Sequence, residues 1–328
     1  MEGTRKIMRR SIYNFLQNYQ NFTTIAALIA FPFSVSVLLS QSFVVPSSSS
    51  SSSIHNRLRA LFEAAGVPGS SQPFTILIHK LSQTISSSIF TLPFSLTFFL
   101  ISKAYVIQTL HQNKPTLLLY KPLFVTHLCN LFIVISANAT SLSVFFLGFN
   151  LVQETLVSSP NWVFILSATG AVIYSVILAN TVVVFKLALV LSVIEGCGGW
   201  IAILKALVLM RGRTTTALSL ALPVSMVLAG IEALFQYRIV RGGDRSYGHA
   251  STPAAMAVEG MLIAYLYSIF VVLDTVVNYM FLKSCMRMVE QEAMNSYRIG
   301  FIEQESDVGL VAYHLERKPT SRIAKPRC

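Results

Sequence analysis

Six apolar runs, each long enough to cross a hydrocarbon core about 30 Å thick at 1.5 Å rise per residue, dominate the chain. They lie at about 22–45, 85–108, 122–149, 162–185, 214–236 and 255–282. A bilayer leaves no water to satisfy exposed backbone groups, so runs of this length fold as helices. The expected fold class is all-α: a polytopic membrane helix bundle of about six transmembrane helices. Composition agrees, since only 12% of the 328 residues are charged, against roughly 25% in soluble proteins. A hydrophobic content of 53% excludes a disordered chain. Nucleic-acid binding is also excluded as a reading, because the basic residues are spread between apolar runs and form no single patch.

Orientation follows from the Lys and Arg distribution, since basic residues near spans are retained on the cytoplasmic side. With six spans and the N-terminus inside, 19 of the 25 basic residues fall in cytoplasmic segments or at their edges. The apolar stretch 187–210 is the one competitor for a seventh crossing. It is interrupted by Glu195, Gly196, Gly198, Gly199 and Lys205, and counting it as a span would leave only 11 basic residues inside. Six spans with both termini cytoplasmic is therefore expected, and 187–213 reads as a cytoplasmic-side hairpin or interfacial segment between helices 4 and 5.

Outside the 22–282 membrane domain, residues 1–21 read as an amphipathic cytoplasmic lead-in to the first span, not as a cleaved signal peptide. The external loop 46–84 opens with the poly-Ser run 47–53, a linker without packing capacity, followed by a short amphipathic surface helix over 54–65. The tail 283–328 is cytoplasmic, and too small for an independent core without staples; it docks on the membrane domain or binds a cytoplasmic protein. The four cysteines show no disulfide or zinc spacing. No catalytic motif is present, and a non-enzymatic chain without metal or cofactor is expected.

Charge in apolar surroundings is expensive, so an intramembrane carboxylate is a functional hypothesis by default. Asp274 lies deep in the sixth run, with Asn278 one turn later on the same face. Two readings stay open: a proton or cation relay, and a hydrogen bond between helices that fixes packing. Glu232 and Glu259 lie near the outer ends of runs 5 and 6, within reach of each other or of Arg238. Lys186 is expected to snorkel toward cytoplasmic headgroups. Arg9, Arg10, Lys205, Arg211 and Arg213 are the expected headgroup contacts. Small residues recur every fourth position at Ser167, Ala171, Ser175 and Ala179, and again at Ala221, Ser225, Ala229 and Ala233. Such faces let helices approach closely, so both are expected to be buried, against each other or in a homodimer. Kinks are expected at Pro32, Pro93 and Pro223.

Several segments together resemble a plant family of uncharacterised multi-spanning membrane proteins. They are Arg10-Ser11-Ile12 through Phe22 to Pro32, Lys186-Leu187-Ala188 to Ser192-Val193-Ile194-Glu195, Lys205-Ala206 with Arg211-Gly212-Arg213, and the stretch from Leu273-Asp274-Thr275 to Asn278 and Lys283-Ser284. The resemblance implies about six spans and a cytoplasmic segment between spans 4 and 5. More remotely, the architecture is similar to the membrane domain of bacterial glycerophosphodiester phosphodiesterases, which is not their catalytic part. The chain departs from the plant pattern at Gly196-Cys197-Gly198-Gly199, where an aromatic–glycine pair would stand, and in lacking a cysteine directly before Lys283. The expected function is to organise membrane lipids or partner proteins through the basic cytoplasmic face, in an endomembrane such as the endoplasmic reticulum or in the plasma membrane. The alternative is a small-solute or lipid transporter with an Asp274 and Asn278 site. The sequence leaves the oligomeric state open.

Overall fold

A computed structural model describes residues 2–43, 49–64, 72–111, 120–155, 160–240 and 253–316. Every regular element among them is helical, and six helices are long and apolar enough to span a membrane. Spans 1 to 6 run over Tyr19–Ser40, Leu81–His111, Tyr120–Ser141, Ala168–Glu195, Thr214–Ile239 and Ala254–Gln291. The expected all-α, six-span bundle is the architecture found. The chain divides into two compact units, Met1–Leu282 and Lys283–Cys328. In the second, the helix Pro253–Glu316 continues without a break to its last described residue.

Side-chain bonds pin the first unit at both ends. At one end Thr4 meets Ser219 at 3.4 Å and the Tyr279 hydroxyl donates to the Leu110 carbonyl at 3.3 Å. At the other, the Ser40 and Ser87 hydroxyls are 2.8 Å apart. Two apolar clusters fill the space between. Phe15 of the N-terminal helix Glu2–Gln17 packs with Phe22, Ala26 and Ala30 of span 1, Val106 of span 2, and Val272 and Val276 of span 6. Leu38, Ile231, Phe235, Ile263, Tyr267 and Val271 join spans 1, 5 and 6 in the second cluster.

Two of the three intraspan prolines have wide π-turns beside them. Ala26–Ala30 lies just before Pro32, and Ser95–Phe99 begins two residues after Pro93. A proline removes one backbone donor and crowds the preceding turn, and a π-turn absorbs that mismatch while rotating the residues it contains. Pro223 lies inside Thr214–Phe235 without such a turn.

The segment between spans 4 and 5, expected as a hairpin or interfacial segment, is a helical hairpin. Its first arm, Leu187 to Glu195, is the end of the span 4 helix, and Leu187 through Val193 are buried on every side. Gly196 and Gly199 then take positive φ values of 69° and 75°, a backbone region that a side chain disfavours, and the helix stops. Gly198 is fixed by space: a Cβ there would lie 2.7 Å from backbone atoms of Pro122. The Gly199 N–H donates to Thr126 Oγ1 at 2.8 Å, completing the seat on span 3. The chain returns as Trp200–Met210, whose 11 residues rise only about 16 Å and cannot cross the bilayer.

Between spans 1 and 2, a helix covers Ser49–Ala64. The expected helix over 54–65 thus extends back into the poly-Ser run, because propagation from a formed helix is cheap once nucleation is complete. Residues 44–48, 65–71 and 241–252 lie outside the described residues, with most of the expected polar loop after span 5.

Gly198→Ala is expected to destabilise the folded unit by about 1–3 kcal/mol, since the new methyl must push backbone away from backbone. Thermal unfolding in nanodiscs checks this, with the exposed Gly230, whose added Cβ would meet no atom, as the control position for the same change.

Candidate functional site

The sixth span carries Asp274 to the centre of the bundle, where it is 7% exposed. Its Oδ1 accepts from the Lys186 ammonium of span 4 at 2.8 Å, and the two side chains are 9% and 19% exposed. Lys186 therefore does not snorkel outward as expected. It turns inward because a carboxylate lies on the helix beside it, 88 residues away in sequence. A second lysine, Lys103 of span 2, is 3% exposed and within electrostatic reach of both Asp274 and Lys186. Its ammonium sits 4.5 Å from the centre of the Phe99 ring, an attraction between cation and π face. Two ammoniums and one carboxylate leave the cluster a formal charge of one positive unit.

Asn278 is also buried, but its amide does not reach the carboxylate. It donates to the backbone carbonyl of Asp274 at 2.6 Å, one helical turn back. The expected Asp–Asn pair shares a helix face without forming a joint hydrogen-bonding site. Nearby, His111 Nδ1 and the Tyr279 hydroxyl are 3.4 Å apart. Toward the other end, the Tyr267 hydroxyl donates to Glu232 at 2.9 Å, and Arg238 pairs with Glu259 at 2.9 Å. Glu232 and Glu259 are thus tied to neighbours, Glu259 to the arginine named from sequence.

The basic candidates fall into two groups. Arg9 and Arg10 are exposed on the N-terminal helix, where Lys6, Arg9, Arg10 and Tyr13 line a groove of about 600 Å³. On the same helix Ile12, Tyr13 and Leu16 are exposed, while Ser11 and Phe15 face the bundle. Arg211 is exposed and Arg213 half-buried at the turn into span 5. Lys205 differs, because it donates to Glu195 at 2.5 Å across the hairpin. That hydrogen bond and the glutamate charge hold the Lys205 ammonium above its ordinary range, so it stays cationic and engaged.

Within a single chain the small-residue faces are largely exposed and so are not buried against each other, while burial in a homodimer is a matter between chains. Ser175, Ser225, Ala229 and Ala233 are exposed, Ala179 is half-buried, and of those described only Ala221 is buried; the Ser167 and Ala171 side chains lie outside the description. Span 5 instead buries the face bearing Ala217, Leu220, Val224, Ile231 and Phe235, whose larger side chains give more contact area. Spans 3 and 4 are linked by a polar contact that the spacing did not reveal, from the Tyr174 hydroxyl to Asn138 Oδ1.

A family described as a domain of unknown function (DUF8558) matches residues 2–296. The chain belongs to that family. No curated protein and no solved structure matches it. The match covers all six spans and the charge cluster, and assigns no activity to them. Among the described residues no group of His, Cys, Asp and Glu is placed to hold a metal.

The three-charge arrangement gives an asymmetric expectation. Asp274→Asn strands two buried ammoniums and is expected to cost about 3–5 kcal/mol, the usual penalty for breaking a buried pair. Lys186→Met is expected to cost less, because the charge of Lys103, within electrostatic reach, still offsets that of the carboxylate. Unfolding midpoints of the two variants in identical nanodiscs decide it, and equal losses would refute the shared-carboxylate arrangement.

Proposed function

We propose that this protein is a non-enzymatic organiser of acidic membrane lipids, acting through the bundle end that carries the N-terminal helix and the Trp200–Met210 hairpin. The observation that carries the reading is the groove lined by Lys6, Arg9, Arg10 and Tyr13. The groove is walled mainly by the aliphatic stems of these residues and the Tyr13 ring, and the three exposed charged heads on the same helix face can meet the phosphate of an acidic lipid headgroup. Exposed Ile12, Tyr13 and Leu16 on the same helix supply apolar contact for the adjoining acyl chains. Each basic residue held near an anionic surface contributes on the order of 1 kcal/mol. Arg211 and Arg213 add charge, and exposed Trp200 suits headgroup depth.

The distribution of Lys and Arg supports placing this end on the cytoplasmic face, where anionic lipids are enriched, with both termini on that side. The resemblance to plant multi-spanning proteins supports a plant endomembrane or plasma membrane as the location. The remoter likeness to a phosphodiesterase membrane domain fits a lipid-facing role without chemistry. The acid-rich stretch with Glu290, Glu292, Glu303, Glu305 and Asp307 is offered as the surface for a cytoplasmic protein partner.

A second reading is favoured by one observation, the buried charge cluster: a transporter in which the Lys186–Asp274 pair opens and closes around a solute. In that case Asp274→Asn abolishes pH-coupled flux in proteoliposomes at wild-type protein abundance.

For the leading reading, Arg9→Glu with Arg10→Glu is expected to reduce the acidic phospholipid retained by the purified protein at least fivefold relative to phosphatidylcholine. Quantitative lipid analysis after detergent exchange reads the ratio, and a wild-type ratio in the double variant removes the groove from the mechanism.

A further inference from the structure

The charge cluster has an unused side. Asp274 is engaged by Lys186, and Lys103 of span 2, within electrostatic reach of both, holds its ammonium against the face of the Phe99 ring. The π-turn Ser95–Phe99 lies one turn before it, so Ser95, Phe99 and Lys103 follow one another at intervals of four along the helix. Single π-turns inside α-helices are frequently found at functional sites. The Phe99 ring touches a third group, the His127 imidazole of span 3, at 6.3 Å between ring centres and near edge-on.

His127 is fixed by Ser95, whose hydroxyl oxygen lies 3.1 Å from Nε2. In the tautomer where the hydroxyl donates to Nε2, the proton stands on Nδ1 and makes that atom a donor. Among the described residues, His127 Nδ1 is buried and has no hydrogen-bond partner. The same holds for both amide atoms of Asn130, three residues further along the same helix face, in a side chain only 4% exposed. Buried polar atoms without partners are costly, and native structures rarely keep several together without a purpose.

We propose that Lys103, His127 and Asn130 form a binding site for a small monovalent anion between spans 2 and 3. The donors are the Lys103 ammonium, the His127 Nδ1–H and the Asn130 amide N–H. The charge selects the ligand: the cluster holds one positive unit in excess, and one negative unit neutralises it. Burial selects the size, because Lys103 and Asn130 are enclosed too far for a lipid headgroup to enter. Chloride, nitrate, formate and acetate share this chemistry, and the source is either inorganic or a small carboxylate.

The test uses the full chain in nanodiscs of phosphatidylcholine alone, so that the acidic-lipid reading has no part in the result. Thermal unfolding is followed at constant ionic strength while gluconate, too bulky for the site, is replaced by each small anion. The expected result is a saturable rise in Tm, as binding to the folded state alone requires, and its loss in Lys103→Met. Asn130→Asp places a fixed carboxylate in the site. It is expected to raise the Tm in gluconate and remove the anion dependence, which keeps the test decisive if Lys103→Met does not fold. A rise with chloride and nitrate only assigns an inorganic ligand, and one with formate and acetate only a carboxylate; either supports the site. A wild-type Tm indifferent to all four anions, or a rise that persists unchanged in Asn130→Asp, overturns it.

Discussion

The Lys186–Asp274 ion pair constrains the rest of the bundle more than any apolar contact. Taking a carboxylate and an ammonium out of water costs several kcal/mol each, and the loss is recovered only when the two meet at hydrogen-bond distance. Spans 4 and 6 must therefore adopt the one mutual register that brings them to 2.8 Å. The apolar residues then follow. Leu187 through Val193 continue from Lys186 and are buried all round, and Val272, Val276 and Val277 flank Asp274 with almost no exposure. Apolar side chains in lipid gain little by choosing one neighbour over another, so a single buried pair sets a register that they can only accommodate.

Much of the architecture was legible because run length is a property of the chain alone. The six spans and the prominence of Asp274 both came from counting apolar residues and finding an acid among them. What stayed hidden was relational. Lys186 read as a headgroup lysine because it stands just past the fourth apolar run, and Lys103 stood out in no local pattern. No local spacing announces that both meet a carboxylate on a third helix. Small residues every fourth position did not report packing within the chain for a related reason. That pattern permits close approach and does not require it, and span 5 buries the face with more side-chain area instead. The paired Tyr174 and Asn138 likewise sit on different helices and show nothing in either sequence alone.

Polar chemistry in this protein is divided by depth. Exposed cations collect on the N-terminal helix and at Arg211, where water and headgroups can reach them. Buried polar groups collect where spans 2, 3, 4 and 6 face one another. The glycine turn couples the two zones mechanically, since Gly198 and Gly199 press the hairpin against Pro122 and Thr126 on the span that also carries His127 and Asn130. A displacement of the hairpin by its lipid surroundings would thus bear on span 3 within two helical turns of the buried groups.

The short helix Trp200–Met210 has a consequence for the bilayer itself. It keeps Ala202, Ile203, Ala206 and Met210 on the protein and offers Ile201, Leu204, Leu207 and Val208 outward. A helix about half as long as the hydrocarbon core takes up lateral area in one leaflet and none in the other. An outward apolar face of that length is covered in full by the lipid of a single leaflet.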